Sequence, residues 1–173
     1  MVLKLNFKNA ILLVWFLMGM NAWGSGISDQ LRAQQVSQLQ SPDKSIALNV
    51  YLSATGEIQY GVQKSGVSVI QPSTLGVMME GHDFIQRLKL VTTSIPERIT
   101  DSYQTRNGKK SSILYQANQL VMSFTNEEEK KMDIIFRLSN DGVAFRYSFP
   151  WIENNETIVK ELSSFAFDEK TKA

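Results

Sequence analysis

The chain has 173 residues, 18 Lys and Arg against 17 Asp and Glu for a formal net charge of +1, and no cysteine. So even a balance offers no electrostatic footprint for a phosphate backbone, which excludes nucleic acid as an expected partner. With no disulfide staple available, a stable domain has to come from burying Val, Ile, Leu and Phe.

The first 24 residues read as targeting sequence. Lys4 and Lys8 precede the apolar run Ala10 to Met20, and small residues follow at Ala22 and Gly24. That is the layout of a secretory signal peptide. The run is shorter than the roughly 20 apolar residues of a membrane-spanning helix. A retained anchor is the alternative, and it would tether the same domain without changing its fold. The expectation is a secreted chain without a stable membrane anchor, in a bacterial periplasm or at the cell surface. Removing 24 residues from 173 leaves 149, residues 25–173, enough for one domain with a core.

Along the rest of the chain the apolar period is two. Ile27 to Leu39 is the one window with a hint of helical spacing, and it is rich in Gln. Ile46, Leu48, Val50 and Leu52 alternate, Thr55-Gly56 interrupts, and Ile58, Tyr60 and Val62 resume, which predicts a hairpin. Lys64-Ser65-Gly66 makes the next turn, Val67 to Ile70 a short strand that Pro72 stops or pushes to an edge, and Leu75 to Met79 another strand. Between Met78 and Asn107 alternation is weak at Phe84, Leu88 and Leu90, and Pro96 divides the segment into two short strands.

After the turn Asn107-Gly108-Lys109-Lys110, the groups Ile113, Tyr115 and Leu120, Met122, Phe124 are separated by a break and predict a further hairpin. Asn126 to Lys131 is a charged loop. Met132, Ile134, Phe136 and Leu138 then alternate with Asp133, Ile135 and Arg137, the clearest half-buried strand. Asn140-Asp141-Gly142 turns it back into Val143, Phe145, Tyr147 and Phe149, and Pro150 ends the return strand. Many short strands at regular spacing predict an all-β antiparallel β-sandwich.

Catalytic signatures are missing from this pattern. His82, the one histidine, has beside it Asp83 but no second His or Cys to share a metal. Gly56, Gly61 and Gly66 are spaced as turn or bulge residues, not as a phosphate loop. Glu127, Glu128 and Glu129 beside Lys130 and Lys131 form a solvated turn, whereas a hydrolytic pair needs carboxylates held apart across a sugar. Asn155-Glu156-Thr157 matches a glycosylation acceptor, a triplet that is common by chance. The residues thus predict no catalytic and no metal-binding group, and leave substrate-binding residues unassigned.

The segment from Phe136 to Pro150, with its Asn140-Asp141-Gly142 turn and Phe145-Arg146-Tyr147 return strand, resembles the N-terminal domain of glycoside hydrolase family 97. Weaker matches follow the same order: Ser41-Pro42-Asp43, Gly56 to Tyr60, Ser73-Thr74-Leu75-Gly76, Gly108-Lys109-Lys110, and Glu161 before Phe165 and Phe167. The resemblance spans residues 36 to 168. One departure is Leu138-Ser139, where the family commonly has an aromatic or Val-Phe pair before the turn. Arg137 and Arg146 are expected to project from one face of the hairpin with the apolar stripe opposite, so that the motif is scaffold.

The resemblance implies a galactose-mutarotase-like sandwich packed against a (β/α)8 barrel that carries the catalytic groups. It also implies action on α-glucosides or α-galactosides, with calcium at the active site of the full-length enzyme. In the family the sandwich lends one glutamate to that calcium from a segment beyond its Phe-rich strand. Glu161 is not assigned that role, because its place before Phe165 suits a strand residue. The chain is therefore expected to be the C-terminally truncated accessory and scaffold portion of such an enzyme, inactive alone, with an apolar patch for its barrel. A free-standing carbohydrate-binding module, using Trp151, Tyr103 or Tyr115 as a stacking platform, is the alternative. A surface or periplasmic structural domain that merely shares the sandwich is the third.

Overall fold

The computed structural model describes residues 33–104, 112–153 and 155–169. Among these, the strands in chain order are β1 (Gln34–Gln40), β2 (Ile46–Leu52), β3 (Ile58–Lys64), β4 (Val67–Leu75), β5 (Val77–Met79), β6 (His82–Phe84), β7 (Lys89–Thr93), β8 (Glu97–Gln104), β9 (Ser112–Thr125), β10 (Lys131–Ser139), β11 (Val143–Ser148) and β12 (Ile158–Glu161). No helix occurs among the described residues. The signal-peptide reading and the Asn107 to Lys110 turn lie outside them.

The strands form three antiparallel sheets: β1-β2-β3-β4, β11-β10-β9-β7 with β8 also on β9, and the small β12-β5-β6. Register explains the core. Leu48 pairs with Val62, Val50 with Tyr60 and Leu52 with Ile58, which puts the apolar alternates of β2 and β3 on one face. Met132, Ile134, Phe136 and Leu138 of β10 pair with Phe124, Met122, Leu120 and Asn118 of β9. All four β10 side chains are fully buried, and the inner faces of both large sheets share one apolar cluster. Two sheets burying one core between them make a β-sandwich.

Four local expectations change. The window ending at Leu39 is strand from Gln34, because β1 pairs along β2 and tertiary pairing overrides its weak helical spacing. Pro72 does not stop its strand. β4 runs through it as an edge strand, with Gln71 and Pro72 together opposing Gly61, a bulge that spares proline the hydrogen bond it cannot donate. Met78 to Asn107 holds three strands after β5, namely β6, β7 and β8, not two.

The largest change is β9. The expected break between Tyr115 and Leu120 is no turn, since β9 is one strand of 14 residues. Apolar parity switches because its two ends serve different faces: Leu120, Met122 and Phe124 point into the core, whereas Ile113 and Tyr115 lie on the opposite face. β7 and β8 follow one another along the same edge of β9, and Ser94 bridges the gap through its backbone N–H to Val121 O at 2.8 Å.

Candidate functional site

The Asn140-Asp141-Gly142 turn is closed by Ser139, whose backbone N–H donates to Gly142 O at 3.0 Å and whose hydroxyl accepts from Gly142 N at 3.2 Å. Asn140 Oδ1 accepts from Asp43 N at 3.1 Å, which joins the turn to Ser41-Pro42-Asp43, 97 residues away. Asp43 Oδ1 in turn accepts from the Ser41 hydroxyl at 2.7 Å and Ser45 N at 2.9 Å. These hydrogen bonds, that of Ser41 foremost, hold the Asp43 carboxyl below its usual range. On the outer face of the hairpin, Arg137 and Arg146 flank Ile135 and Ala144 around an open recess of ≈ 390 Å³. Arg137 Nε donates to Gln119 Oε1 at 2.7 Å. Both arginines are exposed, opposite the buried stripe, as the alternation predicts.

The segment after β12 is laced to the edge of β4. Leu162 N donates to Gly76 O, Ser164 N to Thr74 O, and Ala166 pairs with Gln71 as a bridge. Tyr147 Oη accepts from Gly76 N at 3.0 Å and meets Ser163 Oγ at 2.8 Å, and Tyr60 Oη donates to Ser164 O at 2.9 Å. Burial pushes the Tyr147 phenol above its usual value. Glu161 closes β12 as a strand residue, and with Glu156 and Asn155 it rims a groove of ≈ 470 Å³ floored by Val77, Met79 and Tyr147.

His82 and the acidic run, read separately from the sequence, meet: His82 Nδ1 lies 2.8 Å from Glu128 Oε2, across 46 residues of chain. Nothing local announced that pair. The hydrogen bond to His82 is the main reason the Glu128 carboxyl sits below its usual range. Asn126 caps the loop by accepting from Glu128 N and Lys130 N. Trp151 stands beside it with its indole N–H donated to Lys131 O at 2.8 Å. Phe84 stacks near the indole, His82 meets it edge-on at 4.9 Å, and Lys130 Nζ sits 4.8 Å from the ring centroid. Trp151 is thus packed by its neighbours and is not a flat exposed platform. Tyr103 and Tyr115, by contrast, come together at a recess of ≈ 260 Å³ beside Asn140 and Asp141.

Among the described residues no three His, Asp or Glu converge on a possible metal position. Calcium takes roughly 6–8 oxygen ligands, so these residues do not fit it on their own.

Residues 39–173 match the family model described as glycosyl-hydrolase 97 N-terminal. The chain belongs to this family. Membership removes the third reading, in which the sandwich would be shared by chance. A curated relative, a probable retaining alpha-galactosidase of Streptomyces bingchenggensis (strain BCW-1), is 31% identical over 115 residues, 65% of this chain and 17% of that protein. Among solved structures, a beta-arabinopyranosidase superimposes with a TM-score of 0.73 at 32% identity, covering 78% of this chain and 22% of its own. A glycoside hydrolase family 97 enzyme from Pseudoalteromonas sp. strain K8, solved in complexes with panose and with acarbose, gives 0.68 at 25% identity, over 77% of this chain and 20% of its own. The glycosyl-hydrolase 97 N-terminal domain described here therefore spans about a fifth of the length of the relatives it matches.

Proposed function

We propose that this chain is the N-terminal sandwich of a secreted glycoside hydrolase, in which it serves as accessory scaffold for a (β/α)8 barrel that carries the catalytic groups. The observation that carries the reading is the match of residues 39–173 to an N-terminal domain that makes up about a fifth of the length of its relatives. The substrates are α-linked galactosides or glucosides. Relatives that match this domain carry different names, a probable retaining alpha-galactosidase and a beta-arabinopyranosidase, which supports placing specificity outside it. In such an enzyme calcium would sit at the active site of the full-length protein. The signal-peptide pattern of residues 1–24 supports export.

The test is hydrolysis of α-galactoside and α-glucoside substrates, with calcium, by the chain alone and by the chain fused in frame to a family barrel. Turnover by the fusion and none by the chain is expected. Hydrolysis by the 173-residue chain itself would overturn the reading.

A further inference from the structure

β10 ends where β9 continues. Ser139, the last residue of β10, pairs with Ala117, so residues 112–116 of β9 run on with β8 alone on one side. The other edge of this two-stranded ribbon has no strand partner among the described residues, and beside it stands the Ser139-Asn140-Asp141 turn. The step between them is a recess of ≈ 260 Å³ whose lining includes Tyr103, Ile113, Tyr115, Ser139, Asn140 and Asp141. Register explains why two tyrosines meet there: Tyr103 pairs with Ile113 and Tyr115 with Asp101, which makes the rings diagonal neighbours on one face.

These groups stand apart from the other aromatic side chains. Tyr60 and Tyr147 use their hydroxyls inside the sandwich, and Trp151 is packed by Phe84, His82 and Lys130. Tyr103 is 47% exposed, and among the described residues neither it nor Tyr115 has a ring or hydrogen-bond partner. The polar groups are half-engaged in a definite sense. Asn140 Oδ1 accepts from Asp43 N at 3.1 Å, which orients the amide and leaves its NH2 group to donate. The Asp141 carboxylate, an acceptor, has no partner among the described residues.

We propose that this recess binds a neutral saccharide ring. A pyranose has an apolar C–H face and a rim of hydroxyls that both donate and accept. Aromatic faces take the first. The Asn140 amide donor, the Asp141 carboxylate acceptor and the tyrosine hydroxyls take the second. The volume lies below the ~300 Å³ of the smallest drug-sized pockets, which limits the contact to about one ring. Asp141 at the recess and Asp101 beside Tyr115 disfavour an acidic sugar. The inference rests on the proposed function for the kind of sugar, α-linked glucose or galactose, and on nothing else in it, because binding here requires no hydrolysis.

The test is a titration of the isotope-labelled chain with maltotriose and with α-1,6-galactobiose, followed by NMR, with digalacturonate as the acidic control. Saturable shifts confined to residues 101–104, 112–117 and 139–142 are expected for at least one neutral sugar, with a Kd of ~1 mM, and none for digalacturonate. Tyr103→Ala and Asp141→Asn should each weaken binding ~10-fold or more while the remaining spectrum stays that of the folded domain; Asn in place of Asp keeps a residue suited to the turn. No saturation by either neutral sugar at tenfold above that concentration, or unchanged affinity in both variants, overturns the proposal. Loss of catalysis in the barrel fusion would leave this outcome untouched, so the two readings fail separately.

Discussion

Two glycines in hairpin turns of the same sheet offer a controlled test of what positions the sandwich. Gly56 and Gly66 both have positive φ, 75° and 81°. An Ala in that region carries about 1–2 kcal/mol of backbone strain, partly offset by the ~0.4–1 kcal/mol gained through the stiffer unfolded chain. At Gly66 nothing lies within 4 Å of an added Cβ, so Gly66→Ala should destabilise by about 1 kcal/mol, the net of these effects. At Gly56 an added Cβ would strike the backbone of Leu88 and Arg87, at 2.7 Å from Leu88 O and 2.8 Å from Arg87 C, with Leu88 N closer still. Backbone cannot swing aside as a side-chain tip can. The turn would have to lift away, and with it go the hydrogen bonds from Arg87 N to Thr55 O and Leu88 N to Gly56 O. At about 1 kcal/mol each, these bring Gly56→Ala to about 3 kcal/mol. The assay is urea denaturation of both variants beside the unmodified chain. If the two differ by less than ~0.5 kcal/mol, a conventional limit for a null surface effect, the close docking of this turn on residues 87–88 is wrong.

Phe136→Ala removes a fully buried ring from the centre of β10 and should cost about 3–5 kcal/mol in the same assay. Tyr147→Phe deletes the acceptor of the buried Gly76 N–H and should cost about 1–3 kcal/mol. The Tyr147 phenol is raised in the fold, so its contribution is complete below the ordinary value of 10.0 and fades as pH climbs through the higher folded value; Tyr147→Phe should flatten the alkaline limb of a stability profile. Glu128 is shifted the other way, chiefly by the His82 hydrogen bond, so its contribution is complete above 4.5 and fades as pH falls through the lower folded value. Thermal melts of Glu128→Gln should accordingly lose part of the acid-side decline seen in the unmodified chain.

What could be read ahead of the structure follows from the range of the forces involved. β2, β3, β10 and β11 were legible because a half-buried strand writes its burial into alternate residues, and Gly56 and Asn140-Asp141-Gly142 write the turns between them. β9 was misread because it changes its buried face partway, which in sequence is indistinguishable from a turn. Pro72 was misread because the bulge that accommodates it depends on Gly61 in the partner strand. His82–Glu128 and the Tyr103–Tyr115–Asp141 recess are products of long-range register. No local period encodes them: His82, Glu128, Asp141 and the tyrosines could each be picked out by residue type, but not as neighbours.

Several of the segments that carry the family resemblance prove, among the described residues, to be joints of the scaffold. Ser41 to Asp43 meets Asn140 through a backbone N–H on a side-chain oxygen, Thr74 and Gly76 meet Leu162 to Ser164 through backbone groups and short hydroxyls, and Gly56 meets Leu88 through backbone alone. Such contacts fix how hairpins dock and leave side chains on the open faces unspecified. A sandwich held in this way can keep its family signature while its exposed surfaces diverge. Function specific to this chain is therefore to be sought where side chains are positioned by the scaffold but left unengaged by it, and the edge of β9 beside Asp141 is such a place.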